Sequence, residues 1–498
     1  MEKSSKLNIK NLEFIKNQLK SVTVIQGLIF TFAIATVTSI CAATYFNITL
    51  LWLAPPALLG IYLAFTDFKK LFFLLFASIP ISTEYTFPNG FSTDLPTEPL
   101  MIGLMGVTFV YVLLHLKSIN TKIIRHPLTL MLLLHLGWTL VTTITSENFI
   151  FSLKFSLAKI WYVTVFYFLA SKILRTEEDI KNLFKVVFFP LVIAVSIIEI
   201  RHAGKGLTFE TINSCLSPFF RNHVSYAALT ALFMPFAWYA MAWQRKWSMQ
   251  WWIYGLGMLI ILLGVQFSYT RAAYAAIFIA MGIYVVIRLR LMRWAIVGII
   301  IFFSFLGSFL LEKNNFLGFA PDYKKTIMHQ DFSNLLQATY KFQDISTMER
   351  VYRWVAAGHM IDAKPFLGFG PGNFYNFYRH YVLTSFQTYV SDNPEKSGIH
   401  CYFLMIWVEQ GFLGLIFFLC FNFGVLLLGE KVYHEAKDKA TKRIGLIALL
   451  AFVIIDALLL INDMVETDKV GTFFFVCAAV LVNLDLKQIE MSADKSEI

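Results

Sequence analysis

The chain has 498 residues, 57% of them hydrophobic and 15% charged, with a net charge of +10 and a mean hydropathy of +0.63. Soluble domains are about a quarter charged, and this composition excludes disorder, a coiled coil, a collagen-like repeat and a disulfide scaffold. The apolar residues lie in long blocks, so the expected fold is an all-α polytopic membrane protein, and the basic excess bears on membrane sidedness rather than on nucleic acid.

Residues 1–21 read as a polar, helix-patterned segment, too long and too mixed for a signal-peptide n-region. A span needs about 20 largely apolar residues. The segment 22–311 holds eleven candidates, near 22–41, 47–65, 70–82, 98–116, 127–144, 156–172, 183–200, 224–243, 251–268, 272–288 and 294–311. The third is short and carries Pro80 at its end, as a tilted or re-entrant piece would. Residues 312–400 form one large loop. Three further candidates, 401–428, 444–461 and 469–484, precede a tail at 485–498. The expectation is 12–14 transmembrane helices.

Charge fixes the expected sidedness. With the N-terminus inside, 26 of the 42 Lys+Arg fall in inside segments and 7 in outside loops and span ends. The rest lie in 312–400, whose length removes it from the positive-inside rule. Both termini are then cytoplasmic and 312–400 is outside. Within that loop, Ser346-Thr347-Met348-Glu349 reads as a capping box. It opens an amphipathic helix carrying Val351, Trp354, Val355, Met360 and Ile361, which Pro365 ends. A turn cluster, Gly368-Phe369-Gly370-Pro371-Gly372-Asn373, follows.

Several basic residues gather at the outer boundary: Arg221 and His223 before the eighth span, Arg271 in Ser268-Tyr269-Thr270-Arg271, Arg350 and Arg353 on the loop helix, and His400 before the twelfth span. Guanidinium forks suit phosphate oxygens, and an imidazole suits proton acceptance near neutrality. Each has a plainer reading: span-end arginines snorkel, Arg353 faces water on its helix, and the histidines are ordinary interfacial ones. The Gly368–Gly372 amides suit either a phosphate or simple chain reversal, and no Walker Gly-Lys-Ser/Thr follows. No Asp-x-Asp stands in the outside loops and no metal-ligand spacing occurs, so metal-dependent transfer has no support.

The stretch from His400 through Glu409 to Gly411 and Gly414 resembles the signature of the O-antigen ligase / O-antigen polymerase superfamily: His, then Asn/Ser/Gln, nine residues, then Gly-x-x-Gly. Here Cys401 stands at the Asn/Ser/Gln position. Upstream, Arg350-Val351-Tyr352-Arg353-Trp354 and the run Pro365 to Phe374 resemble that family's Arg-x-x-x-Trp and Pro-x-x-Gly-x-Gly-Pro-Gly-Asn-Phe elements. Ser268 to Arg271 resembles its Ser-x-x-Arg or Ser-Arg element.

The resemblance implies an inverting, metal-independent membrane glycosyltransferase of the bacterial inner membrane, with its site facing the periplasm and no cofactor. The donor would be a glycan on undecaprenyl diphosphate and the acceptor lipid A–core, with membrane lipids around it. By that analogy Arg221, Arg271 and Arg350 hold the diphosphate, and His400 orients or deprotonates the acceptor hydroxyl. Arg271 also stabilises the leaving charge, with Arg353, His223 and Glu409 in support. A repeat-unit polymerase and a protein O-oligosaccharyltransferase share these motifs. A lipid-linked sugar transporter is the competing class. It predicts inverted repeats and midplane polar groups, whereas no repeat is visible and His135, Asp456, Glu199 and Lys159 are its few candidates.

Overall fold

The computed structural model describes residues 27, 30–46, 51, 54–87, 92–115, 121–320, 345–387, 391–393 and 396–496. The expected segment 1–21 and the part 321–344 of the expected loop lie outside the described residues. The chain forms two units, 1–72 and 73–498.

The first unit holds the apolar helix α1 (Phe30–Phe46) and α2 (Ala54–Thr66). Ser39 Oγ donates to the Leu51 carbonyl at 2.5 Å, tying the start of the second segment back to the first. The next helix, α3 (Phe68–Ser78), carries the chain into the second unit, where a 3-10 turn at Ile79–Ile81 contains Pro80. The expected third span is therefore short, as its proline implied.

In the second unit a two-stranded antiparallel hairpin, β1 (Thr83–Thr86) and β2 (Ser92–Leu95), precedes α4 (Thr97–Leu114). The helices α5 (Pro127–Ile144), α6 (Phe149–Ile173) and α7 (Glu177–Ala203) follow. Asn148 caps α6 by accepting from the Phe151 amide. Thr176 and Asp179 close a reciprocal capping box at the start of α7, with Glu177 and Glu178 beside the positive end of its dipole. The chain continues through the short α8 (Phe209–Leu216), then α9 (His223–Trp243), α10 (Met249–Phe267), α11 (Arg271–Arg288) and α12 (Met292–Leu311). The loop helix α13 (Ile345–Ala363) is succeeded by α14 (Tyr402–Glu435), α15 (Lys439–Leu459) and α16 (Gly471–Ser496).

Every expected span meets a helix. Among the described residues ten helices are long and apolar enough to cross a membrane, so the chain is an all-α polytopic membrane protein. The helices α2 and α3 are shorter than a full crossing. The region 485–496 continues α16 rather than forming a separate tail: Asp485 is buried against Lys431 at 2.8 Å and His126 at 3.3 Å. The core of the unit is α16, whose apolar window is 78% buried, packed on α14 and α15. In contrast α12 is 6% buried and presents Phe302, Phe305 and Phe309 outward, as a lipid-facing helix does.

Links between connecting segments fall into two sets. One joins 147 to 369, 207 to 269, 82 to 468 and 400 to 463. The other joins 122 to 490, 287 to 434, 292 to 430 and 431 to 485. The links thus separate two faces, with α13 on the first.

Candidate functional site

The site is built around a break in α14. Gly411 has φ 69 and ψ −173, so 402–410 and 412–435 are two helices joined at a break. A break frees backbone groups, and at membrane depth each must find a partner within the protein. The Val408 carbonyl accepts from Phe369 N at 3.0 Å, the Glu409 carbonyl from Gly370 N at 2.8 Å, and the Gln410 carbonyl from Trp138 Nε1 at 2.8 Å. Phe412 N donates to the Pro365 carbonyl at 2.9 Å. A Cβ on Gly411 would overlap the Phe366 carbonyl oxygen, so this position requires glycine twice over, for its backbone angles and for its space.

The Glu409 side chain completes the joint. Its carboxylate, 2% exposed, accepts from Gly372 N at 2.8 Å and Phe374 N at 3.0 Å. The glycine turn thus hands its amides to α14. The alternative in which they cradle a phosphate is overturned for Phe369, Gly370, Gly372 and Phe374, and chain reversal onto the helix break is their role. Gly368, Gly370 and Gly372 all have positive φ, which lets the turn lie flat against the break. Asn373 Nδ2 fastens its far side to Ser146 Oγ at 2.8 Å and Ser152 Oγ at 3.0 Å. Of the Gly411/Gly414 pair, only Gly414 serves close packing: its face meets Gln410 and Trp138 on α5.

At the other end of 402–410 stands His400, with φ 59. A non-glycine residue is seldom left-handed and is held there by its surroundings. Asp463, on the turn between α15 and α16, accepts from His400 N at 2.9 Å and sits under Gly398. Cys401, at the N-cap of α14, makes no side-chain cap hydrogen bond. Asp463 also takes a hydrogen bond from the Cys401 amide, so it holds the two residues that lead into the helix. Burial pushes the Asp463 carboxyl up to about 6. One position further, Tyr402 is fully buried and bonded to Glu466 and Lys159.

The loop helix α13 brings the guanidinium groups to this corner. Arg353 Nη1 donates to the Gly398 carbonyl at 3.1 Å, and Nη2 lies 3.7 Å from Glu349 Oε2. Arg353 is 5% exposed; the water-facing reading is overturned, because its fork holds the strand that leads to His400. Glu349 also accepts from Ser391 Oγ at 2.8 Å, whereas the capping box expected at Ser346 involves a side chain outside the described set. Arg350 lies close enough for its charge to act on both His400 and His223. Burial, reinforced by Arg350 and Arg353, pushes the His400 imidazole down to about 3. It is therefore neutral at ordinary pH and presents a hydrogen-bond acceptor to any hydroxyl beside it.

His223 opens α9, its Nδ1 3.1 Å from Asn213 Oδ1, and its carbonyl accepts from Thr270 Oγ1 at 3.3 Å. Thr270 is the N-cap of α11, so Arg271 begins that helix beside the start of α9. Two helix N-termini thus come to one level, where their dipoles favour an anion and disfavour a lone arginine. Arg221 lies two residues before His223 and is exposed. The structure brings His400, Arg350, Arg353 and His223 together, with Arg271 next to His223. Glu409 stands apart, at the loop joint. Asp463, Glu466, Tyr402 and Lys159 were not singled out from sequence as site residues. The available signal was a lysine inside the apolar stretch 156–172, since an ionisable group at such depth is costly and marks function.

Two comparisons with known proteins bear on this arrangement. Residues 256–419 match the family model described as O-antigen ligase, and that region carries Arg271, Arg350, Arg353, the glycine turn, His400 and the break at Gly411. No curated protein matches the chain. The match supports the O-antigen ligase / polymerase superfamily over about a third of the sequence.

Proposed function

We propose that this membrane protein, an O-antigen ligase-type transferase in its central region, moves a glycan from undecaprenyl diphosphate to a hydroxyl of lipid A–core. The carrying observation is a neutral His400 imidazole beside Arg350 and Arg353 at the face that holds α13. In our reading that face is periplasmic, both termini are cytoplasmic and the membrane is the inner one, as the excess of basic residues on the opposite face supports.

The donor's diphosphate would lie against Arg350 and Arg271, at the N-termini of α9 and α11, with Arg221 at its margin. Guanidinium groups and helix N-termini stabilise the charge that grows on the leaving diphosphate as the glycosidic bond breaks. His400 accepts a hydrogen bond from the acceptor hydroxyl and aims its oxygen at the anomeric carbon from the opposite side, which gives inversion. Before the donor binds, burial and two arginine charges keep His400 from taking a proton. The anionic donor neutralises the charges, so the imidazole gains basicity when it is needed. Protonated His400 then releases its proton to water. Arg353 and His223 act in support, and Glu409 acts by fixing the loop.

A deletion in the native host, complemented with wild type or His400→Ala and read on a lipopolysaccharide gel, tests this reading. Loss of the ladder with intact core, and polymer left on the lipid carrier, is the expected result. Core bearing a single repeat would instead assign a polymerase. An unchanged ladder would move the activity to another glycan or to a protein acceptor, and full rescue by His400→Ala would refute the role given to the histidine.

A further inference from the structure

We propose that Lys159, Glu466 and Tyr402 form a buried positioning unit that fixes the backbone at His400, so that its loss slows transfer without weakening donor binding. The inference rests on the reading of His400 as the group that orients the acceptor.

Tyr402 follows His400 by two residues and opens the short helix 402–410. Its hydroxyl donates to Glu466 Oε1 at 2.5 Å and accepts from Lys159 Nζ at 3.2 Å. Lys159 Nζ lies 3.3 Å from the same carboxylate oxygen. Lys159 is 2% exposed and Glu466 12%. Three separate elements therefore meet at one phenol: α6 through Lys159, α14 through Tyr402, and the turn between α15 and α16 through Glu466. That turn also carries Asp463, which accepts from His400 N. Residues 463 and 466 thus grip positions 400 and 402.

The arrangement is costly as packing alone. Two charges buried inside an apolar bundle lose hydration that their attraction only partly returns, and apolar side chains of similar volume would fill the same space more cheaply. What the charged unit adds is direction. Lys159 and Glu466 each point at the Tyr402 oxygen, and so set the rotation of the first turn of α14. The positive φ of His400 leaves the chain between 400 and 402 little other freedom. Neither Lys159 nor Glu466 is placed at the reacting atoms, so they act through the orientation of His400.

Two variants test the unit. Tyr402→Phe removes a single oxygen and leaves the Lys159–Glu466 pair in place. Lys159→Met with Glu466→Gln removes both charges together, so neither is left buried and unpaired. Full-length protein in nanodiscs is assayed with lipid-linked glycan extracted from the deletion strain as donor and that strain's core lipid as acceptor. We expect kcat to fall about tenfold or more in both variants, since small misplacements near reacting atoms cost rate steeply. KM for the donor should stay within about twofold and the melting temperature of Tyr402→Phe within a few degrees. Wild-type kcat in Tyr402→Phe overturns the proposal, as does a loss that follows only the folded fraction or a rise confined to donor KM. If the double variant does not fold, Tyr402→Phe decides alone. His400→Ala separates the two readings: activity in it refutes the role of His400, whereas an inactive His400→Ala beside a fully active Tyr402→Phe refutes the positioning unit alone.

Discussion

Replacing Glu409 with alanine should detach the glycine turn from α14 while leaving the transmembrane helices in place. The carboxylate accepts from the amides of Gly372 and Phe374 at 2.8 and 3.0 Å. A hydrogen bond to a charged group contributes about 1.5–3 kcal/mol, so losing two costs about 3–6 kcal/mol. A factor of ten corresponds to about 1.4 kcal/mol, so the open population of 366–376 should rise roughly 10²- to 10⁴-fold. Hydrogen exchange on a peptide covering 366–376, in nanodiscs, reads this directly, and peptides within α15 and α16 serve as internal references. Glu409→Gln keeps one carbonyl oxygen but turns an amide N–H toward the second donor, so it should lose about half as much. Exchange in Glu409→Ala equal to wild type would show that the helix-break carbonyls alone hold the turn, and would refute the reasoning.

Gly411→Ala should be more severe. Its backbone angles are nearly reserved for glycine, at a cost of about 1–3 kcal/mol, and the added carbon overlaps the Phe366 carbonyl. We expect a large drop in melting temperature or no folded protein, and a wild-type melting curve would contradict the described break. The pH profile of kcat/KM reports the free enzyme. An ordinary imidazole near 6.5 would be only about 3% neutral at pH 5. His400, held down to about 3, stays in its neutral form there, so its own titration adds no acid limb to kcat/KM between pH 7 and pH 5. A limb near 6 belongs to Asp463, which accepts from His400 N, and that limb should be lost in Asp463→Asn. The acid limb of kcat, measured with the anionic donor bound, should lie at higher pH than that of kcat/KM. A kcat/KM limb near 6.5 that persists in Asp463→Asn would mean that neither burial nor the Arg350 and Arg353 charges hold the imidazole down.

The helices were legible because a bilayer demands runs of about 20 apolar residues, and such runs are visible without any partner. The exception is α3, where Pro80 gave the warning. The loop helix was legible for the same reason on a smaller scale, and Pro365 stops it, but its buried face is Met348, Tyr352, Ala356, Ala357 and Met360, with Val351, Trp354 and Val355 only half-buried. The hairpin at 83–95 was not, since four-residue strands with mixed polarity carry almost no periodic signal. The water-facing alternative for Arg353 follows from the habit of charged residues on amphipathic helices, and it failed because the burial of Arg353 depends on a carbonyl at Gly398, 45 residues away. The break at Gly411 left no trace in the sequence, because Gly-x-x-Gly looks alike in a straight helix and in a broken one. The support beneath His400 is carried by Asp463 and by Lys159, the latter 243 residues from its Tyr402 partner, and no local pattern announces such a contact.

The nine residues 402–410 have a consequence for the spacing of the motif itself. They form a rigid rod about 13 Å long, with the histidine turn at one end and the seat for the glycine turn of the loop at the other. An α-helix turns about 100° per residue, so the interval between His400 and Gly411 sets an angular phase as well as a length. Inserting or deleting one residue would leave both ends chemically intact. It would nevertheless rotate the imidazole away from Arg350 and Arg353, which the loop holds in register with the other end. The interval is thus a gear ratio between the loop and the membrane bundle, and substitutions that keep its length should be tolerated far better than any that change it.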